Sequence, residues 1–221
     1  MIDPGFYIQE SVFTGVECDQ ILQGLESPGL KRSRAGVRNL MTRPEIRMIA
    51  NDERLLQLTE TLSGKRLIPY KATLFEKTGK ANWLVAFHQD TALPIETDPG
   101  LEGWGPSSTK ERIVFSHAPT WALSQILALR IHLDASTKLN GPLRVIPDSH
   151  RERVQSDAEF ESFVKNGEQI ECLVGRGGVI GMSPLLIHAS SKSISEEPRR
   201  VLHIEYAPSL DLGHGILLAV A

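Results

Sequence analysis

The feature that most constrains the fold is the pattern of apolar and turn-forming residues after Gly64. Short apolar or alternating runs follow one another there, separated by clusters of Gly, Pro, Asn and Asp. Many short strands divided by turn residues are typical of a β-sandwich or barrel. The predicted strands of the whole chain are residues 6–11, 66–75, 83–88, 124–133, 143–147, 168–173, 179–182 and 201–207.

Helical spacing of apolar residues predicts two helices before that region. The first covers residues 14–26, with Pro28-Gly29 as its stop, and the second covers residues 44–62, with Pro44 in its first turn. A short third helix is predicted at residues 157–165. Helices that precede a run of strands favour a layer of helices on one outer face of the sandwich.

Composition narrows the class of protein. The 221 residues are 41% hydrophobic and 23% charged, as in ordinary globular domains, and the net charge is −3 without any basic block. Nucleic acid and anionic membranes are therefore not expected as partners. No repeat, low-complexity tract or linker divides the sequence, so we expect one domain over residues 1–221.

The cysteines and the N-terminal residues favour a cytoplasmic protein. Cys18 and Cys172 are the only cysteines, and they form neither a disulfide framework nor a zinc-ligand spacing. The first residues lack a charged start followed by an apolar run, and no apolar stretch is long enough to cross a bilayer. The sequence does not indicate an oligomeric state.

His88, Gln89 and Asp90 form a His-x-Asp triplet at the end of a predicted strand. Residues i and i+2 of a strand point to the same face, so the imidazole and the carboxylate reach one point. His188, at the end of an apolar run, is the candidate third ligand, although a histidine in that setting is more often structural. Two histidines and one carboxylate form the facial triad that holds ferrous iron and leaves positions open for a cosubstrate and oxygen.

Alternation after Pro198 separates a polar face from an apolar one. One face carries Arg199, Val201, His203 and Glu205, and the other carries Arg200, Leu202, Ile204 and Tyr206. The polar face suits a lumen that holds a charged cosubstrate, so Arg199 is the predicted inward cation, with a guanidinium fork that matches a carboxylate. The same alternation in residues 124–133 predicts that Arg130 points toward the lumen, and the alternative is a structural ion pair with Asp134 or a glutamate.

Three sequence motifs resemble a known family. They are Ala81-Asn82-Trp83 with His88-Gln89-Asp90, Arg130-Ile131-His132-Leu133-Asp134, and Asn140-Gly141-Pro142-Leu143-Arg144-Val145-Ile146-Pro147-Asp148-Ser149-His150-Arg151. In this order and spacing, over about residues 68–207, the chain resembles the phytanoyl-CoA dioxygenase family, and most of all its bacterial members. The resemblance implies a double-stranded β-helix, a cupin-like jelly roll, over about residues 66–210, with helices of about residues 14–62 packed on it.

The resemblance also implies the roles of the candidate residues. The implied iron ligands are His88, Asp90 and His188. Arg199 falls where an arginine pairs with the far carboxylate of 2-oxoglutarate, and Ser190 falls at a helper position for the same carboxylate. Further cosubstrate-lining positions fall on Thr73, Gln89 and Arg130. The implied cofactors are iron(II), 2-oxoglutarate and oxygen.

Two positions depart from the family pattern. Asp148 stands where a glycine is usual before Ser149-His150, and Lys192 stands where a small polar residue or Asn is common. Aspartate tolerates left-handed backbone geometry better than most residues, so we expect the turn at Asp148 to survive. Neither change touches an implied iron ligand.

Residues 91–120 contain many prolines and glycines and show little periodicity. A long irregular loop inside a compact domain is usually a functional lid or disordered. Because this segment begins directly after Asp90, we expect it to form a lid over the metal. Its candidate substrate contacts are Trp104, Lys110, Arg112 and the adjoining Trp121.

The expected reaction is hydroxylation of a C–H bond in a small-molecule metabolite, with release of succinate and CO2. Asp90 argues against halogenation, which needs a small residue at that position. Desaturation, cyclisation and epimerisation would use the same site and stay open, because the product depends on substrate pose. A non-catalytic jelly-roll binder and a zinc hydrolase are the alternatives from other classes, and the presence of Arg199 counts against both.

Overall fold

A computed structural model describes residues 4–26, 30, 32–33, 36–78, 81–151 and 154–221. Its helices are α1 (Gly15–Leu25), α2 (Pro44–Ala50), α3 (Glu53–Ser63), α4 (Thr120–Leu123) and α5 (Asp157–Asn166), with a 3-10 turn at Leu40–Thr42. Its strands are β1 (Phe6–Gln9), β2 (Gly36–Val37), β3 (Ile68–Lys77), β4 (Val85–His88), β5 (Ala92–Ile95), β6 (Ser107–Lys110), β7 (Ile113–His117), β8 (Leu127–His132), β9 (Leu143–Val145), β10 (Ile170–Cys172), β11 (Val179–Met182), β12 (His188–Ser190) and β13 (Arg199–Ala207).

Two antiparallel sheets form a jelly roll. The larger sheet has the strand order β1-β11-β8-β13-β3-β2, and the smaller sheet has the order β10-β9-β12-β4. Buried residues from both sheets pack together between them, among them Ala128, Ile180 and Met182 from the larger sheet and Leu143 and Val145 from the smaller one. The predicted fold class, mainly β with flanking helices, is confirmed.

Helices α1 to α3 cover the outer face of the larger sheet. Their apolar side chains join one buried cluster with alternate residues of β8 and β13, namely Leu127, Leu129, Ile131, Leu202, Ile204 and Tyr206. Burial of each large side chain contributes about 1.5–3 kcal/mol, which fixes the helices on this face. The intervening residues Arg130, Arg199 and His203 are buried on the opposite face, as the alternation predicts.

The helix boundaries follow from capping. Thr14 caps the N-terminus of helix α1, and its side chain accepts a hydrogen bond from the backbone N–H of Glu17 (3.2 Å). The predicted stop of this helix, Pro28-Gly29, lies outside the described residues. The single helix predicted at residues 44–62 is wrong, because α2 ends at Ala50 and α3 begins anew. The Asp52 carboxylate accepts a hydrogen bond from the Arg54 N–H (2.9 Å) and caps the second helix.

Residues 91–120 contain more regular structure than the sequence indicates. Strands β5, β7 and β6 form a separate three-stranded antiparallel sheet, and α4 follows it. The sequence hides these strands because β6 is exposed along its whole length and so lacks apolar alternation. Pro94 within β5 adds to the irregular appearance, but β5 is an edge strand, where proline is tolerated.

None of the helices in the described part of the chain has the length and apolar character needed to span a membrane.

Two turns with left-handed backbone support the smaller sheet. Asp148 has a φ of 66°, so the left-handed turn survives with aspartate at this position, as predicted. Its N–H donates to the Pro4 carbonyl (2.9 Å). Gly141 has a φ of 67°, and a Cβ there would lie 2.2 Å from the carbonyl oxygen of Ser191. The Gly141 carbonyl also accepts a hydrogen bond from the Ser190 hydroxyl (2.8 Å). Position 141 therefore requires glycine for both conformation and space.

Replacing Gly141 with alanine should destabilise the fold by about 3 kcal/mol or more, because backbone strain and a steric clash add. Gly64→Ala is the matched control, since Gly64 has a φ of 74° with nothing within 4 Å of an added Cβ. The control should show only the strain, about 1–2 kcal/mol. Urea unfolding of both variants measures the difference, and equal losses would contradict the close-approach explanation.

Candidate active site

Strand pairing brings His88 and His188 together. Strand β12 lies between β9 and β4 in the smaller sheet, and His188 pairs with His88 in antiparallel register. The two imidazole centroids are 4.3 Å apart. Asp90 lies two residues beyond the end of β4, and its N–H donates to the carbonyl of Pro184 (2.9 Å), which anchors it beside the two rings.

The three predicted metal ligands meet at one point. His88 Nε2 lies 3.4 Å from Asp90 Oδ1, and His188 Nε2 lies 3.5 Å from Asp90 Oδ2. One ligand atom from each residue falls within 4.8 Å of the other two. The His88 and Asp90 side chains remain 38% and 39% exposed, whereas His188 is buried, so the cluster opens on one side only.

Backbone carbonyls fix the orientation of both imidazoles. Nδ1 of His88 donates to the Ala86 carbonyl (2.9 Å), and Nδ1 of His188 donates to the Leu186 carbonyl (2.8 Å). A carbonyl can only accept, so each ring carries a proton on Nδ1, and a neutral ring presents the Nε2 lone pair to the cluster. This tautomer and this outer hydrogen bond are those of metal-ligating histidines.

The charges in the cluster also suit a cation. Burial disfavours a charge on Asp90, yet the His188 and His88 imidazoles hold its pKa well below the usual range. Burial lowers the pKa of His188 to about 4. Burial opposes protonation of His88 as well, but Asp90 outweighs it and raises the pKa. The carboxylate and His188 are therefore already in the forms that bind a metal, and a metal at His88 would take the place of a proton.

A second set of functional groups shares this space, which we call the cation pocket. Its cavity volume is about 90 Å³, and it is lined by the three ligands together with Lys77, Arg130, Ser190 and Arg199. The Ser190 hydroxyl accepts hydrogen bonds from Lys77 Nζ (2.7 Å) and Arg199 Nη2 (3.3 Å). The predicted cosubstrate residues Arg199, Ser190 and Arg130 therefore lie beside the ligand cluster.

Among the described residues, no carboxylate forms an ion pair with Lys77, Arg130 or Arg199, although Asp90 lines the same pocket. In the described part of the chain, Nε and Nη1 of Arg199 and Nε of Arg130 are buried without a hydrogen-bond partner. Burial, reinforced by Arg130, lowers the pKa of Arg199 to about 9. Burial, reinforced by Arg199 and Arg130, lowers the pKa of Lys77 to about 7. Buried charges are normally paired, so these residues fit a bound carboxylate.

Lys77 is the functional candidate that sequence reasoning missed. It is almost fully buried, at 1% exposure, and it pairs with Arg199 where β3 runs antiparallel to β13. The predicted strand ended at residue 75, two positions short of it. Extension of that strand by one alternation step would have placed Lys77 on the same face as Thr73.

Arg130 faces the pocket and not Asp134. Its Nη1 donates to His203 Nδ1 (3.2 Å), so the neutral His203 carries its proton on Nε2 and donates to Glu205 (3.2 Å). Asp134 pairs instead with Arg200, at 2.7 Å and 2.8 Å. Among the described residues, Arg130 therefore forms neither the ion pair with Asp134 nor one with a glutamate, which were the alternatives from the sequence.

Thr73 and Gln89 lie in the wall of a neighbouring space, which we call the outer cavity. The Gln89 amide donates to the Leu185 carbonyl (2.6 Å) and accepts from the Gln155 N–H (2.9 Å), so it fastens the loop after β4. The structure thus separates both residues from Arg199, and their contact with a cosubstrate stays a prediction.

The outer cavity has an open volume of about 870 Å³. It meets the cation pocket at Phe75 and Asp90, which line both spaces. Residues of β6 and β7, namely Lys110, Phe115 and His117, form its opposite wall. The segment after Asp90 therefore borders the ligand cluster, although as a sheet and not as an irregular loop.

A jelly roll with two histidines and one carboxylate beside buried arginines defines a class of non-haem iron enzymes. The family model for phytanoyl-CoA dioxygenase (PhyH) matches residues 3–201, and the chain belongs to that family. It is a 2-oxoglutarate-dependent oxygenase, whose cofactors are iron(II), 2-oxoglutarate and oxygen. The predicted family, enzyme class and cofactors are confirmed. No protein with a curated function matches the chain in sequence.

Solved structures share the fold at low identity. AviO1 from Streptomyces viridochromogenes Tue57 is 22% identical, with 93% of this chain and 90% of that chain covered and a TM-score of 0.64. EctD from S. alaskensis with 2-oxoglutarate and 5-hydroxyectoine is 20% identical, with 92% and 72% covered and a TM-score of 0.67. The α-ketoglutarate-dependent epimerase SnoN from nogalamycin biosynthesis is 17% identical, with 96% and 83% covered and a TM-score of 0.68.

Binding of 2-oxoglutarate should weaken as pH rises above about 7, toward tenfold per pH unit, because Lys77 then has to take up a proton to meet the anion. Below this range Lys77 is already charged, and the affinity should level off. Lys77→Met should bind more weakly and without this slope. Titration calorimetry at several pH values tests this, and a flat wild-type profile would refute it.

Proposed function

We propose that this protein hydroxylates a C–H bond of a small molecule, with His88, Asp90 and His188 as the iron ligands. The observation that carries this proposal is the juxtaposition in one pocket of a three-residue ligand cluster and buried arginine donors that have no hydrogen-bond partner among the described residues. A zinc hydrolase does not need the second feature, and a protein that only binds an anion does not need the first. Iron bound there would supply the activation of oxygen that consumes 2-oxoglutarate.

Arg199, Lys77 and Ser190 would hold the far carboxylate of the cosubstrate. Arg199 offers two free nitrogen donors, and Ser190 is already oriented by its bond to the Gly141 carbonyl (2.8 Å). Lys77 also donates to the Ser191 carbonyl, which holds its ammonium group at this end of the pocket. The cosubstrate would therefore gain charge-assisted hydrogen bonds without a large rearrangement of the side chains.

The substrate would approach from the outer cavity. Asp90 and Phe75 separate that cavity from the cation pocket, so cosubstrate and substrate would lie on opposite sides of the ligand cluster. The sheet of β5, β7 and β6 would act as the lid. Buried Phe115 of β7 would limit the access of water to the reacting carbon.

Hydroxylation is the favoured outcome because Asp90 leaves a complete ligand set and because EctD, of similar fold, was crystallised with a hydroxylated molecule. SnoN, also of similar fold, is an epimerase, so the outcome has to be read from the product. Hydroxylation adds one oxygen atom, whereas epimerisation leaves the mass unchanged. Mass spectrometry of the product separates the two.

Replacing His88 with alanine should remove iron binding and with it the weak visible band that iron(II) and 2-oxoglutarate form without oxygen. His214→Ala is the control, because His214 is an exposed histidine whose ring contacts Trp121, outside the ligand cluster. The control should keep both the metal and the band. An unchanged band in the His88 variant would disprove the ligand assignment.

Replacing Arg199 with methionine should weaken 2-oxoglutarate binding by about 30-fold or more, because a buried charge partner is lost. Arg200→Met is the matched control, since the adjacent Arg200 points to the other face and pairs with Asp134 (2.7 Å). The control should keep the affinity within about twofold. Anaerobic titration of the visible band measures both, and equal losses would show that Arg199 has no special role.

A further inference from the structure

The charges in the wall of the outer cavity do not balance. Three cations line it, Arg38, Lys71 and Lys110, against the single carboxylate of Asp90. Lys71 is neutralised by the buried Glu205 (2.6 Å), and Asp90 faces the two histidines. Arg38 and Lys110 form no ion pair with any residue that the structure describes. With a metal bound at Asp90, the wall would be positive.

Lys110 is held toward the cavity by an aromatic ring. Its ammonium group lies 5.2 Å from the centroid of Phe115, and the ammonium of Lys71 lies 5.8 Å from the same centroid. The ring attracts both cations, but in the described part of the chain only Lys71 has a carboxylate partner, so Lys110 keeps an unbalanced positive charge at the cavity wall. An anion in the cavity would balance that charge.

Arg38 is brought to the same place by a contact between two turns. The side-chain amide of Asn39 donates to the Glu111 carboxylate (2.8 Å), which joins the segment after β2 to the tip of the β6–β7 hairpin. Arg38 and Lys110 are the chain neighbours of these two residues. Glu111 is the acid beside them, but it is not part of the cavity wall and is turned to Asn39.

We propose that the substrate carries an anionic acid group, a carboxylate or a phosphate, that binds between Arg38 and Lys110. This inference rests on the proposed function, since it takes the outer cavity as the substrate side of the iron site. The reacting carbon would then lie toward Asp90, and the acid group would lie at the far wall. The rings of Phe75 and Phe115 would contact the apolar body between them.

The test uses two acids, phenylacetate and phenyl phosphate, and the neutral phenylacetamide of matching size. The protein is loaded with iron(II) and 2-oxoglutarate without oxygen, so that the cation pocket is filled and the probes report on the outer cavity. Dissociation constants are measured by saturation-transfer NMR. The variants are Arg38→Gln with Lys110→Gln, and a control with the same charge change at two exposed lysines outside the cavity, Lys138→Gln with Lys165→Gln.

The wild type should bind at least one acid about fivefold more tightly than the amide, as two exposed cations allow. The preference should vanish in the Arg38 and Lys110 variant and persist in the control. A wild type that binds neither acid more tightly than the amide, or a preference equal in both variants, overturns the inference. Absence of the iron–2-oxoglutarate band in the wild type would instead show that the proposed function fails.

Discussion

The antiparallel pairing of β12 with its two neighbours is the interaction on which the site depends. Pairing with β4 places His188 opposite His88, and two residues later Ser190 reaches Lys77 and Arg199. One three-residue strand therefore supplies both a candidate metal ligand and the acceptor that orients the cations. The ligand cluster and the cations of the cation pocket therefore cannot move independently. This suits a reaction that needs a metal and a cosubstrate at a fixed distance.

The cation pocket is organised at a cost in stability. Lys77, Arg130 and Arg199 are buried near one another, and burial is the largest cause that lowers the pKa of each. Such a cluster repels itself until an anion binds, so binding of the proposed cosubstrate there would recover free energy that is lost in folding. Before an anion binds, the apolar clusters on both faces of the larger sheet maintain the shape of the pocket.

Features fixed by the two-residue period of a strand could be predicted from the sequence. His88 with Asp90, and Arg199 with His203, share faces whatever the partner strands are, and the structure places them accordingly. Features that depend on pairing between distant strands could not. Lys77 meets Arg199 only through the register of β3 and β13, and the division of residues 44–62 into two helices depends on the cap at Asp52.

The most direct test of this account is a crystal structure of the protein grown without oxygen in iron(II) and 2-oxoglutarate. We expect one iron ion bound by Nε2 of His88, Nε2 of His188 and the Asp90 carboxylate. We also expect the far carboxylate of 2-oxoglutarate to lie against Arg199, Lys77 and Ser190. Iron on other ligands, or 2-oxoglutarate held in the outer cavity by Arg38 and Lys110, would contradict it.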